Sequence, residues 1–143
     1  YPTRATASEQ QFGPYTMTVA MDAPVAPSAA GSRPVALISH GNTGSPLTHR
    51  GTAVALAEAG FVVLLPEHVG NSRSNASLTG TVELLRVRPQ QVCDAVAALH
   101  RDVLLSPHVD RTRRLLIGHS IGAYTVLAAA GGRPVNTSFD SPD

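Results

Sequence analysis

The chain has no tryptophan, no lysine and a single cysteine, and only 4% of its residues are aromatic. One cysteine closes no internal disulfide, so nothing requires an oxidising compartment. A cytoplasmic setting is slightly favoured, with secretion the alternative if a leader was removed ahead of Tyr1. Because lysine is absent, all 11 cationic side chains are arginine, against 10 carboxylates. The resulting net charge of +1 offers no broad field for nucleic acid or an anionic membrane surface. No run reaches the ~18 apolar residues of a membrane span. What is present is the balance of a globular domain: 143 residues, 43% hydrophobic and 15% charged. That length suits one domain, and that composition excludes bulk disorder.

Three short runs are apolar without alternation: Val35-Ala36-Leu37-Ile38, Phe61-Val62-Val63-Leu64-Leu65 and Leu115-Leu116-Ile117. Runs apolar on both faces suit parallel strands covered by helices on both sides. Ahead of them, residues 1–34 read as irregular, with one alternating strand at Tyr15–Ala20. Ser45 as cap, Pro46 at the first helical position and Gly60 just past the end predict a helix between the first two runs. Pro89 predicts the start of a second helix, with Val92, Val96, Leu99 and Val103 on one face. Gly70–Arg88 is then a long loop of the kind that carries function. A third helix is expected over Ile121–Ala130, stopping at Gly131-Gly132. The alternation predicts an α/β fold, a mostly parallel sheet with helices on both faces. Residues 1–34 form its lead-in, 35–134 a βαβαβα core and 135–143 the start of a further part.

The chemistry is carried by Gly118-His119-Ser120-Ile121-Gly122, directly after the third run and directly before a helix. Composition alone would produce a Gly-x-Ser-x-Gly pattern about 0.08 times in such a chain. Strand before and helix after are the context of a nucleophile elbow, in which a serine on a cramped turn is pushed out above the sheet edge. The helix amino end there favours negative charge through its free N–H groups and dipole. The plain alternative is a Gly-rich turn with a buried serine. A second segment, Ser39-His40-Gly41-Asn42-Thr43-Gly44-Ser45, follows the first strand. Acyl transfer needs two N–H donors for an oxyanion, one from the residue after the nucleophile and one from this kind of loop. Those donors are Ile121 and Asn42, with Thr43 as the alternative to Asn42. A third segment, Pro66–Arg73, sits at the end of the second strand. His68 and Asn71 are substrate-contact candidates there, as is Thr43 on the neighbouring loop; loop-fixing hydrogen bonds are the competing reading.

Together, SHGNTGS at 39–45, GFVVLLPEHVGNSR at 60–73, Arg88-Pro89 and IGHSIGAYTVLA at 117–128 resemble the α/β-hydrolase superfamily. More narrowly they are similar to predicted dienelactone hydrolases and platelet-activating-factor acetylhydrolase-like esterases. The resemblance spans about Phe12 to Pro134. It implies Ser120 as nucleophile, Asn42 and Ile121 amides as oxyanion hole, and hydrolysis of small-molecule carboxylic esters or thioesters through an acyl-enzyme, with no cofactor and no metal. A catalytically inactive binding module on the same fold is one alternative. Lactone hydrolysis or acyl transfer on the same elbow is another, and Ser120 stands where the narrow dienelactone hydrolases carry cysteine.

The chain departs from the family order of Ser, then Asp or Glu, then His. All six histidines, at 40, 49, 68, 100, 108 and 119, precede Ser120, and only Asp140 and Asp143 follow it as acids. The resemblance implies the strand order 61–65, 35–39, 114–117, in which the run Leu115–Ile117 would also be an unprotected apolar edge. Both features lead to the expectation that a second polypeptide or C-terminal segment carries the triad acid and base. Among smaller signals, His40 is read as ordering the loop at 41–45 and His119 as packing away from the elbow. Cys93 is read as a small buried residue, and no histidine or acidic pair shows metal-ligand spacing.

Overall fold

The apolar runs at 35–38, 61–65 and 115–117 do form one sheet, in the computed structural model, which describes residues 1–133. Arg33–Ser39 (β3), Val62–Leu64 (β4) and Val109–Gly118 (β5) pair in parallel in the order β4-β3-β5. Val35, Ala36, Leu37 and Ile38 of the central strand are all buried, as a strand covered on both faces requires. On one face Leu37 packs with Val92 and Val126, while Val35 packs with Val62, Leu99 and Val109. Val63 and Leu65 turn the other way and line one cleft with Ala53, Val54 and Ala57. Chain order thus gives a mixed α/β domain with a three-stranded parallel sheet.

Three helices surround the sheet: Arg50–Glu58 (α1), Val82–Arg101 (α2) and Ile121–Ala129 (α3). A 3-10 turn at Pro46–His49 precedes α1, capped by Ser45, and Gly60 follows it at φ +102°. The third helix ends within one residue of its expected stop, with Gly131 at φ +97°. β5 lies at the end of the sheet, and Leu115 on it is exposed. No helix among the described residues is long and apolar enough to cross a membrane. The expected further part at 135–143, with Asp140 and Asp143, lies outside the described residues.

Three sequence expectations are corrected. The lead-in holds a second strand: Ser8–Phe12 (β1) pairs antiparallel with Tyr15–Val19 (β2) across Gly13-Pro14. Four of its five residues are polar, and only Gln10 and Phe12 are half-buried, so no apolar alternation marks it. Gly13 at φ +57° is the turn signal that identifies a two-residue hairpin. The second helix starts at Val82, not at Pro89. Thr81 caps it by accepting from the Leu84 amide, and Glu83 sits in its first turn, where the helix dipole favours an acid. Pro89 is therefore inside a helix, and it denies Leu85 its usual i+4 donor. Tyr124 Oη of α3 donates to the Leu85 carbonyl at 3.4 Å, which repairs the gap from outside. Finally, α2 ends at Arg101, which leaves Val103 beyond it and exposed, and Cys93 faces solvent.

Candidate active site

Two glycines set the bend that carries Ser120. A Cβ on Gly118 would lie inside contact distance of the Gly122 carbonyl, and one on Gly122 inside contact distance of the Ser39 carbonyl. Both neighbours are backbone, so neither can swing aside. The end of β5 and the start of α3 thus approach each other, and both press on the end of β3. The His119 amide donates to the Ser39 carbonyl at 3.1 Å and completes the joint. Between the glycines, Ser120 holds φ 55°, ψ −127° and is exposed. A non-glycine residue in that region costs of order 1–3 kcal/mol and persists only where its surroundings dictate it.

Ser120 is also the N-cap of α3, yet its side chain caps no amide. Its hydroxyl is left to solvent at a positive helix end. The loop after β3 comes up against it: a Cβ on Gly41 would stand 3.4 Å from Ser120 Cβ and 3.0 Å from His119 Nδ1. Asn42 and Thr43 follow on this loop, both exposed, with Thr43 at φ 47°. Among the described residues, the amides of Asn42, Thr43 and Ile121 donate to no protein acceptor. Unpaired and beside the exposed serine, these amides are donors open to water or to a ligand.

No side chain among the described residues hydrogen-bonds Ser120 Oγ. His119 is exposed, and its ring meets the His49 ring edge-on with centroids 5.3 Å apart. His40 and His68 lie beneath the loop, fully buried, with ring centroids 4.9 Å apart. No group of three His, Cys, Asp or Glu side chains among the described residues is placed to hold a metal ion.

His68 and Asn71, expected at the rim, have no exposed surface. They are corrected from substrate contacts to supports of the loop above. Chain direction places them at the strand end, but the loop after β4 folds inward, anchored by Arg73 N–H donating to the Gly44 carbonyl at 2.7 Å. Asn71 Nδ2 donates to Asn42 Oδ1 at 2.7 Å and to Thr79 Oγ1 at 3.0 Å. Thr43, the remaining contact candidate, is exposed. On the exposed outer side Glu67 accepts from Ser74 Oγ, a loop-fixing bond.

The buried histidines have one self-consistent proton arrangement. His40 Nδ1 lies 2.8 Å from the Gly41 carbonyl, which can only accept, so Nδ1 carries the proton. His40 Nε2 then accepts from the His68 amide at 3.3 Å. Gln91 Nε2 donates to the Val69 carbonyl, so its Oε1 faces His68 Nδ1 at 2.9 Å as acceptor. His68 Nε2 accepts in turn from Ser39 Oγ at 2.8 Å. Burial, with the Arg88 charge beside it, pushes His68 down to about 4; burial lowers His40 as well. Both rings are neutral at neutral pH.

This has a measurable consequence. An unfolded histidine takes a proton near pH 6.5, whereas folded His68 resists it until about 4. The stability this provides is complete above pH 6.5 and is lost as pH falls from 6.5 toward 4. Between pH 7 and 4.5 the loss is about 2–3 kcal/mol. Urea unfolding at the two pH values reads it, and a midpoint unchanged between them contradicts the arrangement.

The residue that sequence reasoning missed is Arg88. It stands on α2 with no exposed surface and no carboxylate partner among the described residues. Its guanidinium donates to Thr125 Oγ1 at 3.0 Å, to Asn71 Oδ1 at 2.6 Å, to Ser39 Oγ at 3.2 Å and to the His40 carbonyl. Burial lowers it to about 10, so it stays charged. Reading Arg88-Pro89 as a helix start hid it. The signal that finds it is the capping threonine at 81, which turns residues 84, 88 and 92 to one face.

No family model matches the chain, and no curated protein matches it.

Proposed function

We propose that the protein is a serine hydrolase of the α/β-hydrolase class that cleaves small carboxylic esters through an acyl-enzyme. The observation that carries this reading is the exposed Ser120 hydroxyl on a positive-φ bend at the head of α3, with the Gly41-Asn42 loop packed against it. Ser120 Oγ attacks the ester carbonyl carbon. The carbonyl oxygen becomes an oxyanion that accepts from the Asn42 and Ile121 amides, each worth roughly 3–4 kcal/mol in such sites. The intermediate collapses, the alkoxide leaves with a proton, and water cleaves the acyl-Ser120 ester by the reverse route. A histidine takes the serine proton and returns it to the leaving alkoxide, oriented by an Asp or Glu. No described imidazole hydrogen-bonds Ser120 Oγ, so this reading assigns that pair to a C-terminal segment or a second polypeptide.

The same absence favours a second reading, an inactive hydrolase fold that binds an ester-sized ligand without turning it over. Hydrolysis of p-nitrophenyl acetate by the full-length protein separates the two. The hydrolase reading predicts a burst of one p-nitrophenol per site, then slower turnover. Hydrolysis no faster than buffer, with no burst, would sink it. Lactones, thioesters and acceptor alcohols assayed alongside identify the acyl group and acceptor the site prefers.

A further inference from the structure

We propose that Arg88 is the positioning residue of the candidate oxyanion site: one buried guanidinium ties together, through Asn71 and Thr125, the two chain segments that carry Asn42 and Ile121. The inference rests on the hydrolase reading above.

One arm runs from Arg88 Nη1 to Asn71 Oδ1, 2.6 Å, and from Asn71 Nδ2 to Asn42 Oδ1, 2.7 Å. The other runs from Arg88 Nε to Thr125 Oγ1, 3.0 Å, and from Thr125 Oγ1 to the Ile121 carbonyl, 2.9 Å. Between them Arg88 Nη2 donates to the His40 carbonyl and to Ser39 Oγ, at the strand end from which the Asn42 loop departs. Each candidate donor residue is therefore two hydrogen bonds from the same planar group. The elements joined are far apart in sequence, and no other side chain among the described residues hydrogen-bonds Asn71, Thr125, Ser39 and the His40 carbonyl together.

A purely structural peg needs no charge. An apolar side chain of the same volume would fill the space without the desolvation cost of a cation that lacks a counter-carboxylate. Two properties of guanidinium account for its use here. Its donors lie in one rigid plane, so they fix angles between segments as well as distances. No carboxylate among the described residues neutralises its charge, and it polarises both relays toward a site where negative charge is to develop. Asn71 and Thr125, both fully buried, act through the donor residues and touch no substrate.

The test uses the full-length protein, with rates normalised to the sites titrated by the p-nitrophenyl acetate burst, so that misfolded molecules do not count. Thr125→Val keeps shape and removes one relay. It is expected to lower kcat per titrated site roughly tenfold or more, as small misplacements in active sites do, with KM within about twofold. Affinity for a trifluoromethyl ketone, whose bound form carries an oxyanion, should fall by the same factor as kcat/KM. Thr125→Ser restores the hydroxyl and should restore kcat. Arg88→Lys keeps the charge, loses the fork and should fall at least as far as Thr125→Val; if it does not fold, the Thr125 pair decides. Lower stability with kcat per titrated site unchanged in Thr125→Val would overturn the inference and leave hydrolysis standing. A wild-type protein with no burst overturns the hydrolase reading and this inference with it.

Discussion

Ser120→Ala is expected to remove the burst and to lower ester turnover on the order of 10⁶-fold, the scale on which an activated serine contributes. Stability should barely change, because alanine accepts the same backbone with one atom fewer. Ser120→Gly makes the sharper experiment. Serine sits at φ 55°, where its Cβ is strained and glycine is at ease. The glycine variant gives back strain of 1–3 kcal/mol, less the greater freedom of an unfolded glycine. A net gain of about 1 kcal/mol is expected, with activity as low as in the alanine variant. Denaturant unfolding and the burst assay read the two effects separately. A Ser120→Gly protein less stable than Ser120→Ala would contradict the bend geometry, whatever its activity.

The second large effect concerns the fold itself. Gly122→Ala drives a methyl into the Ser39 carbonyl, and Gly118→Ala drives one into the Gly122 carbonyl. Neither obstacle is a side chain that can rotate, so strand ends must part. A cost of about 3 kcal/mol or more is expected, at or above the upper end of overpacking substitutions because the obstacle is backbone. A domain of marginal stability then loses its cooperative transition or fails to accumulate. Gly51→Ala is the control: it lies in α1 with nothing within 4 Å of a Cβ. Alanine there should be neutral or stabilising by up to about 1 kcal/mol through helix propensity. Thermal unfolding of the three variants decides; equal midpoints for Gly122→Ala and Gly51→Ala would contradict the close joint between β3 and α3.

The buried layer beneath the loop separates what local pattern reveals from what it does not. The three parallel strands were legible because apolar runs on both faces have few other uses. The bend at 118–122 was legible because glycine spacing reports backbone contact directly. Ser45 and Gly60 marked the ends of the first helical segment through capping chemistry that acts within a few residues. Arg, Asn and Ser are residue types mostly found exposed and His is intermediate, so His68 and Asn71 read as rim, Arg88 as a helix start and Ser39 as a strand end. Their burial depends on partners 17 to 49 positions away in sequence, and no local window contains that information. Pro89 added a competing signal, since proline at a first helical position and proline mid-helix look alike until the orphaned carbonyl's partner, Tyr124, is known. The polar strand β1 was silent for the same reason: only its neighbour across Gly13-Pro14 makes it a strand.

The proposed activity requires the Ser120 hydroxyl to be an activated nucleophile. The most direct measurement is reaction of the full-length protein with a fluorophosphonate, followed by mass mapping of the adduct. One phosphonyl group per chain is expected, on Ser120, with protection by a slowly hydrolysed ester. Labelling at any other serine, or none in a protein that unfolds cooperatively, would contradict it.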